Sequence, residues 1–199
     1  MSRTGVYVAF NGCGTTDPTE SDIKYYNLLK AWNENKAIDF SFPDSHAKTY
    51  AVRDTSSIDT LHDRLRERLR KSKIMLLIIT QNTTKTPSVL DWEIREAVNT
   101  YKIPIAVAYT FHEGYLPDPC LYSNKWPAAF VEAVDNEALT SIHMPFEYKP
   151  IWDAISKYGV NQPFPHLLSY YKYFFLRIKV RRADCICTFA SVAPRPVSL

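Results

Sequence analysis

The sequence predicts an α/β protein built on a doubly wound, flavodoxin-like parallel sheet. Three observations predict it. Strand-like and helix-like segments alternate as β-α-β-α-β-α-β over the first 110 or so residues of the 199. The run Ile74-Met75-Leu76-Leu77-Ile78-Ile79 is apolar without interruption, the mark of a central parallel strand covered on both faces. The intervening segments carry one apolar stripe each, as helices lying on a sheet do.

The elements follow in order. Val6-Tyr7-Val8-Ala9-Phe10 reads as a strand with apolar residues on both faces, broken by Asn11-Gly12-Cys13-Gly14. Ser21-Asp22 is positioned to cap a helix whose stripe is Tyr25, Leu28, Leu29 and Trp32. Ile38-Asp39-Phe40-Ser41-Phe42 alternates and predicts a second strand, ended by Pro43-Asp44-Ser45-His46. Ser56, three residues before Asp59, resembles a capping box. The helix it would open has Ile58, Leu61, Leu65 and Leu69 as a narrow stripe. Arg64, Arg66, Arg68, Arg70, Lys71 and Lys73 surround that stripe and read as a solvated face. After Ile74 to Ile79 comes a helix from Pro87 to Tyr101, and Ile103 to Ala108 is the next strand. Beyond Tyr109 the pattern weakens. Trp126 to Val134 and Pro150 to Tyr158 read as helices, Ser169 to Phe175 is aromatic, and the tail around Pro194 reads as frayed. The predicted organisation is a core over residues 1–110 and an α-rich extension of the same domain over 111–199.

Composition excludes several classes. Net charge is +3, too small to argue for nucleic acid. No apolar run approaches the roughly 20 residues of a membrane span. The start has no signal-peptide core. The four cysteines, Cys13, Cys120, Cys185 and Cys187, show no metal-ligand spacing. The expectation is reduced thiols, a cytoplasmic protein, and no metal.

Glu93 is the most informative residue. In Leu90-Asp91-Trp92-Glu93-Ile94-Arg95-Glu96-Ala97-Val98, helical spacing puts Leu90, Ile94, Ala97 and Val98 on the buried stripe. Glu93 then falls at the edge of the stripe, roughly 80–90° from its centre, and Trp92 nearly opposite it, on the face that should be wet. A half-buried carboxylate beside an exposed tryptophan suits a helix that lines a site. In doubly wound sheets ligands bind beyond the carboxyl ends of the strands. That topology gathers Asn11, Asp44, His46, Trp92 and Glu93 around one crevice. The plainer alternatives are an ion-paired boundary carboxylate for Glu93 and turn residues for Asp44 and Ser45.

These segments resemble the TIR-like family of Thoeris anti-phage systems, the ThsB type. The resemblance rests on Val6 to Gly12, Tyr25, Leu28 and Trp32, Phe40 to His46, Ile58 to Ser72, Ile74 to Thr80, and Trp92-Glu93-Ile94 through Ala97. It covers residues 5 to 110, apart from a longer first loop between Cys13 and Ser21. It implies a TIR-like enzyme that cleaves NAD at the nicotinamide–ribose bond and makes a cyclic ADP-ribose-type signal. It implies Glu93 as catalytic residue and Phe10, Asn11, Gly12, Asp44, Ser45, His46 and Trp92 as the NAD-binding set. It further implies NAD as substrate with no other cofactor, a companion effector reached through the product, a phage trigger, self-association, and neither nucleic acid nor membrane as partner. The rival reading is a non-catalytic adaptor of the same fold that acts by protein–protein association.

Overall fold

The computed structural model describes residues 3–12, 21–44, 58–84, 88–114, 116, 118–165 and 168–170. Five parallel strands form one sheet in the order β1-β2-β3-β4-β5. They are β1 (Gly5–Ala9), β2 (Ser72–Ile79), β3 (Ile105–Tyr109), β4 (Ser141–Pro145) and β5 (Leu168–Tyr170). Ile74 to Ile79 lies inside the sheet, paired with β1 on one side and β3 on the other, and every side chain from Ile74 to Ile79 is fully buried. An unbroken apolar run is tolerated there because both faces are covered.

Successive side chains of a strand point to opposite faces, so each strand feeds two cores. Tyr7, Ala9, Met75, Leu77, Ile79, Ile105, Val107 and Tyr109 pack under α2 (Ile58–Lys71), α3 (Val89–Arg95) and α4 (Ala128–Asp135). Val6, Val8, Ile74, Leu76, Ile78, Ala106 and Ala108 pack under α1 (Ile23–Glu34) and α5 (Tyr148–Lys157). The predicted stripe of α2 is seen in Leu65 and Leu69, both buried, while Arg66, Arg70 and Lys71 on the same helix are exposed.

The expected second strand does not form. Its alternation is real, since Phe40 and Phe42 are buried while Asp39 and Ser41 are exposed. Its hydrogen bonds go elsewhere. The Phe42 N–H donates to Asn33 Oδ1 at 2.7 Å, and the Phe40 N–H donates to the Ile38 carbonyl at 2.9 Å. Among the described residues, the segment reaches β1 through the Pro43 carbonyl, which accepts from the Val6 N–H at 2.8 Å, next to a parallel bridge between Val6 and Asp44. Pro43 has no N–H to extend a ladder. The segment therefore occupies the edge position beside β1 without becoming a strand.

Residues beyond 110 add β4 and β5 to the same sheet. The two helices expected there are present as α4 and α5. The capping pair proposed at Ser56, the segment 171–199 and the cysteines Cys13, Cys185 and Cys187 lie outside the described residues.

Two helical segments end on a non-glycine residue with left-handed backbone: Lys102 and Glu137, each at φ 53°. In each case the following N–H reaches back to close the helix. Ile103 donates to the Ala97 carbonyl and Ala138 to the Ala133 carbonyl, both at 2.9 Å. Glycine is the residue suited to that position. Both side chains are exposed, so removing them leaves no cavity. Lys102→Gly or Glu137→Gly is expected to stabilise the fold by up to about 1 kcal/mol, the relieved left-handed strain less the extra entropy of the unfolded chain. Thermal unfolding followed by circular dichroism checks this; a lowered midpoint for both variants would refute it.

Candidate functional site

The helix bearing Glu93 is built in two pieces. Its first turn is held by Asp91, which is buried. Asp91 Oδ2 accepts from the Ser88 N–H at 2.9 Å, and Oδ1 accepts from the Ala129 N–H at 2.8 Å. One carboxylate thus starts α3 and joins it to the start of α4. After Arg95 the helix widens into a π-helical turn, Glu96–Thr100, closed by the Tyr101 N–H on the Glu96 carbonyl at 3.1 Å. π turns inside helices are frequent near functional sites. Here the wider turn begins at Glu96, within a turn of Glu93, and keeps both Ala97 and Val98 in the core.

Glu93 is half-buried, as its place at the stripe edge predicts. Its Oε1 accepts the Tyr7 hydroxyl of β1 at 2.7 Å. Burial raises the Glu93 pKa from the ordinary carboxylate range to about 7. The Tyr7 hydrogen bond and the positive charge of Arg68 on α2 pull the other way, and burial wins. Tyr7 itself is held far above the ordinary phenol range, first by burial and then by the charge of Glu93. A carboxyl group poised near neutrality is unusual for a structural helix and common in sites that do chemistry.

Trp92 is not exposed as helical arithmetic alone suggests. Its ring stacks on His62 of α2, with centroids 4.0 Å apart and planes 5° apart, and the Arg66 guanidinium lies 5.4 Å from the ring centre. Arg66 also approaches Glu96 at 3.8 Å. The face that a lone helix would leave wet is covered by its neighbour. A single helix's stripe cannot reveal that, because it takes no account of α2.

Asp44 sits beside Val6 at the outer margin of β1 and accepts the Tyr26 hydroxyl of α1. Burial, then this bond, hold the Tyr26 phenol well above its ordinary range, while the charge of Arg68 opposes them. Arg68 therefore acts on two tyrosine–carboxylate pairs: Tyr7 with Glu93 and Tyr26 with Asp44. Phe10 stacks on Tyr26 with centroids 6.1 Å apart. Asn11 Nδ2 donates to the Asn82 carbonyl at 3.3 Å, joining the loops after β1 and β2. Around Gly12 there is open space where a Cβ would stand. Ser45 and His46 lie outside the described residues.

Sequence reasoning missed Tyr7, Tyr26 and Arg68 as site neighbours. Tyr7 reads as one more apolar strand residue, and its bond to Glu93 exists only once α3 lies across β1. The expected Ser21-Asp22 cap forms in part: Ser21 Oγ accepts the Ile23 N–H at 3.3 Å, but Asp22 is used elsewhere. That residue stands at the N-cap of α1 but makes no cap bond. It is buried, and its Oδ2 accepts the Thr80 hydroxyl at 2.9 Å at the end of β2. Burial raises its pKa, with the Thr80 bond opposing.

A second polar cluster lies deep in the core. Trp126 Nε1 donates to Tyr109 Oη at 2.8 Å, Tyr109 is 2.8 Å from His143 Nδ1, and His143 Nε2 is 3.1 Å from Ser141 Oγ. Indole can only donate, so Tyr109 accepts from Trp126, and the bond between Tyr109 and His143 runs in the direction set by the imidazole tautomer. Burial lowers the His143 pKa to about 3, so it is neutral.

The expectation of reduced thiols fails at Cys120, which is disulfide-bonded. Every other cysteine is distant from it in sequence, and spacing along the chain says nothing of proximity in the fold. Among the described residues no group of three His, Cys, Asp or Glu side chains is arranged to hold a metal, and no helix is long and apolar enough to cross a membrane. A cavity of about 210 Å³ opens at the other end of the sheet, lined by Lys102, Pro104, Glu137 and Thr140. It contains none of the candidate residues, and it sits before the amino ends of β3 and β4, not beyond the carboxyl ends where such sheets bind ligands.

The family model for the Thoeris protein ThsB, TIR-like domain, matches residues 7–113. The matched stretch runs from Tyr7 through Glu93 to the end of β3 and stops before α4.

Proposed function

The chain belongs to the TIR-like domain family of the Thoeris protein ThsB, a family of anti-phage defence, and from that premise we propose that it cleaves NAD at the nicotinamide–ribose bond. The observation that carries this reading is the Glu93 carboxyl, half-buried, held by Tyr7 and poised near neutrality. Nicotinamide leaves as a neutral molecule from a cationic ring, so its departure needs no general acid. The ribose left behind becomes oxocarbenium-like, as in glycoside cleavage. A fixed carboxylate beside it stabilises the developing positive charge without having to reorganise. Phe10, Asn11, Gly12 and Asp44 form the proposed NAD-contacting margin. The open space at Gly12 lets a ligand approach the backbone closely. With its ring stacked on His62, Trp92 would serve this site mainly by keeping α3 registered on α2.

The second nucleophile sets the product. Water gives ADP-ribose; an internal hydroxyl or ring nitrogen gives a cyclic ADP-ribose-type nucleotide, the form we propose here as a signal to a companion effector. The adaptor alternative requires no poised carboxylate at Glu93. The test is to incubate the purified protein with NAD, alone and with material from phage-infected cells, and resolve the products by mass spectrometry. Nicotinamide release together with a cyclic nucleotide is expected. Intact NAD under both conditions would favour the adaptor.

A further inference from the structure

We propose that Tyr7 is the positioning residue of the site: its hydroxyl aims the Glu93 carboxylate and favours the charged form that the reaction uses. This rests on the reading of Glu93 given above. Tyr7 is 1% exposed, in the middle of an otherwise apolar strand, and its ring lies in the core beneath the helices that include α2 and α3. A phenylalanine would supply the same packing. What tyrosine adds is one hydroxyl, and that hydroxyl is 2.7 Å from Glu93 Oε1. A strand is the most rigid place from which to present a donor, because Tyr7 is fixed by the ladder to Met75. The phenol stays protonated, since burial and the neighbouring negative charge both oppose its ionisation. It therefore always donates, and a donor favours the ionised carboxylate over the acid.

The other charged groups near Glu93 have their own places. From α2, Arg68 acts on Glu93 and Tyr7 alike. Arg66 and His62, on the same helix, lie against Trp92, and Arg66 also pairs with Glu96. On α3 itself, Asp91 is taken up by Ser88 and Ala129. Tyr7 is thus the group that bonds Glu93 from the sheet. The competing account is that Glu93 merely satisfies a buried hydroxyl, a structural pair with no bearing on the chemistry.

The test compares wild type with Tyr7→Phe, full length, in two measurements. The first is the carboxyl titration of Glu93 by NMR of protein labelled with 13C at the glutamate side-chain carboxyl, the signal being identified by its loss in Glu93→Gln. The second is the pH profile of NAD cleavage. Losing a hydrogen bond to a charged group should raise the Glu93 midpoint by roughly one to two pH units. The acid limb of the activity should move up by the same amount, with kcat reduced at neutral pH, KM unchanged and the rate recovered in alkali. An unmoved titration overturns the proposal whatever happens to NAD. A moved titration with an unmoved activity profile also overturns it and supports the structural pair. A moved titration in proteins that never cleave NAD leaves the hydroxyl's hold on Glu93 standing and sinks the NAD reading instead.

Discussion

Glu93→Gln is expected to yield a folded protein that has lost NAD cleavage by a factor on the order of 10²–10³, the usual cost of removing one preorganised electrostatic contact at a reacting centre. Gln is nearly isosteric, and its carbonyl oxygen still accepts the Tyr7 hydroxyl, so the packing of α3 on β1 survives. What disappears is the negative charge. The same substitution should stabilise the protein in alkali. Folding raises the Glu93 pKa from 4.5 to about 7, so the folded state holds that proton more tightly than the unfolded chain does. The contribution to stability is fully present below pH 4.5 and is lost as the pH rises through 7. Above pH 7 the wild type therefore carries an ionised, half-buried carboxylate that Gln does not. An advantage of roughly 1–3 kcal/mol for Glu93→Gln at pH 8 is expected, vanishing near pH 4.5. Loss of function with gain of stability is the signature of a strained active-site group. Glu96→Gln is the control. Glu96 lies on the next turn, paired with Arg66 at 3.8 Å, and should cost little activity. Equal losses from both variants would indicate helix damage, and wild-type turnover by a folded Glu93→Gln would refute the catalytic role.

The acid side of the stability curve is expected to be governed by His143. Its folded pKa of about 3 lies below the ordinary histidine value of 6.5, so the unfolded chain binds the proton more tightly. The stability is present above pH 6.5 and is lost as the pH falls toward 3, at about 1.4 kcal/mol per pH unit at full slope. Taken alone, that is a sizeable fraction of the stability of an ordinary domain. Between pH 4.5 and 6.5 Glu93 changes in the opposite sense, so the wild-type curve should be nearly flat there. Glu93→Gln should expose the His143 slope. His143→Asn, which retains an acceptor for Tyr109, should remove that slope and leave the Glu93 trend alone. The measurement is urea unfolding in steps of half a pH unit from 4 to 8. Parallel curves for wild type and His143→Asn below pH 6 would refute the assignment.

The local rules read from the sequence reach a definite depth. The unbroken run Ile74 to Ile79 reports burial on both faces, and burial on both faces makes an inside strand of a parallel sheet. The stripe through Leu90, Ile94, Ala97 and Val98 places Glu93 at a margin, and a margin is where the structure has it. Periodicity records which side of an element meets apolar matter, and these features follow from it.

What periodicity does not record is which neighbour arrives, and hydrogen bonding depends on that. Ile38 to Phe42 has the alternation of a strand but forms no ladder, because Asn33 takes the Phe42 N–H and Pro43 has none to give. Trp92 has the position of an exposed residue, but α2 supplies His62 to cover it. The partners of Glu93 and Asp44 are tyrosines 86 and 18 residues away in the chain. The polar chain through Trp126, Tyr109 and His143 likewise joins residues far apart in the sequence. The sequence by itself determined the class of fold, an inside strand of its sheet and the margin on which the carboxylate stands. The tertiary structure alone decided the charge state of that carboxylate, because desolvation and a 2.7 Å donor exist only once β1, α2 and α3 have come together.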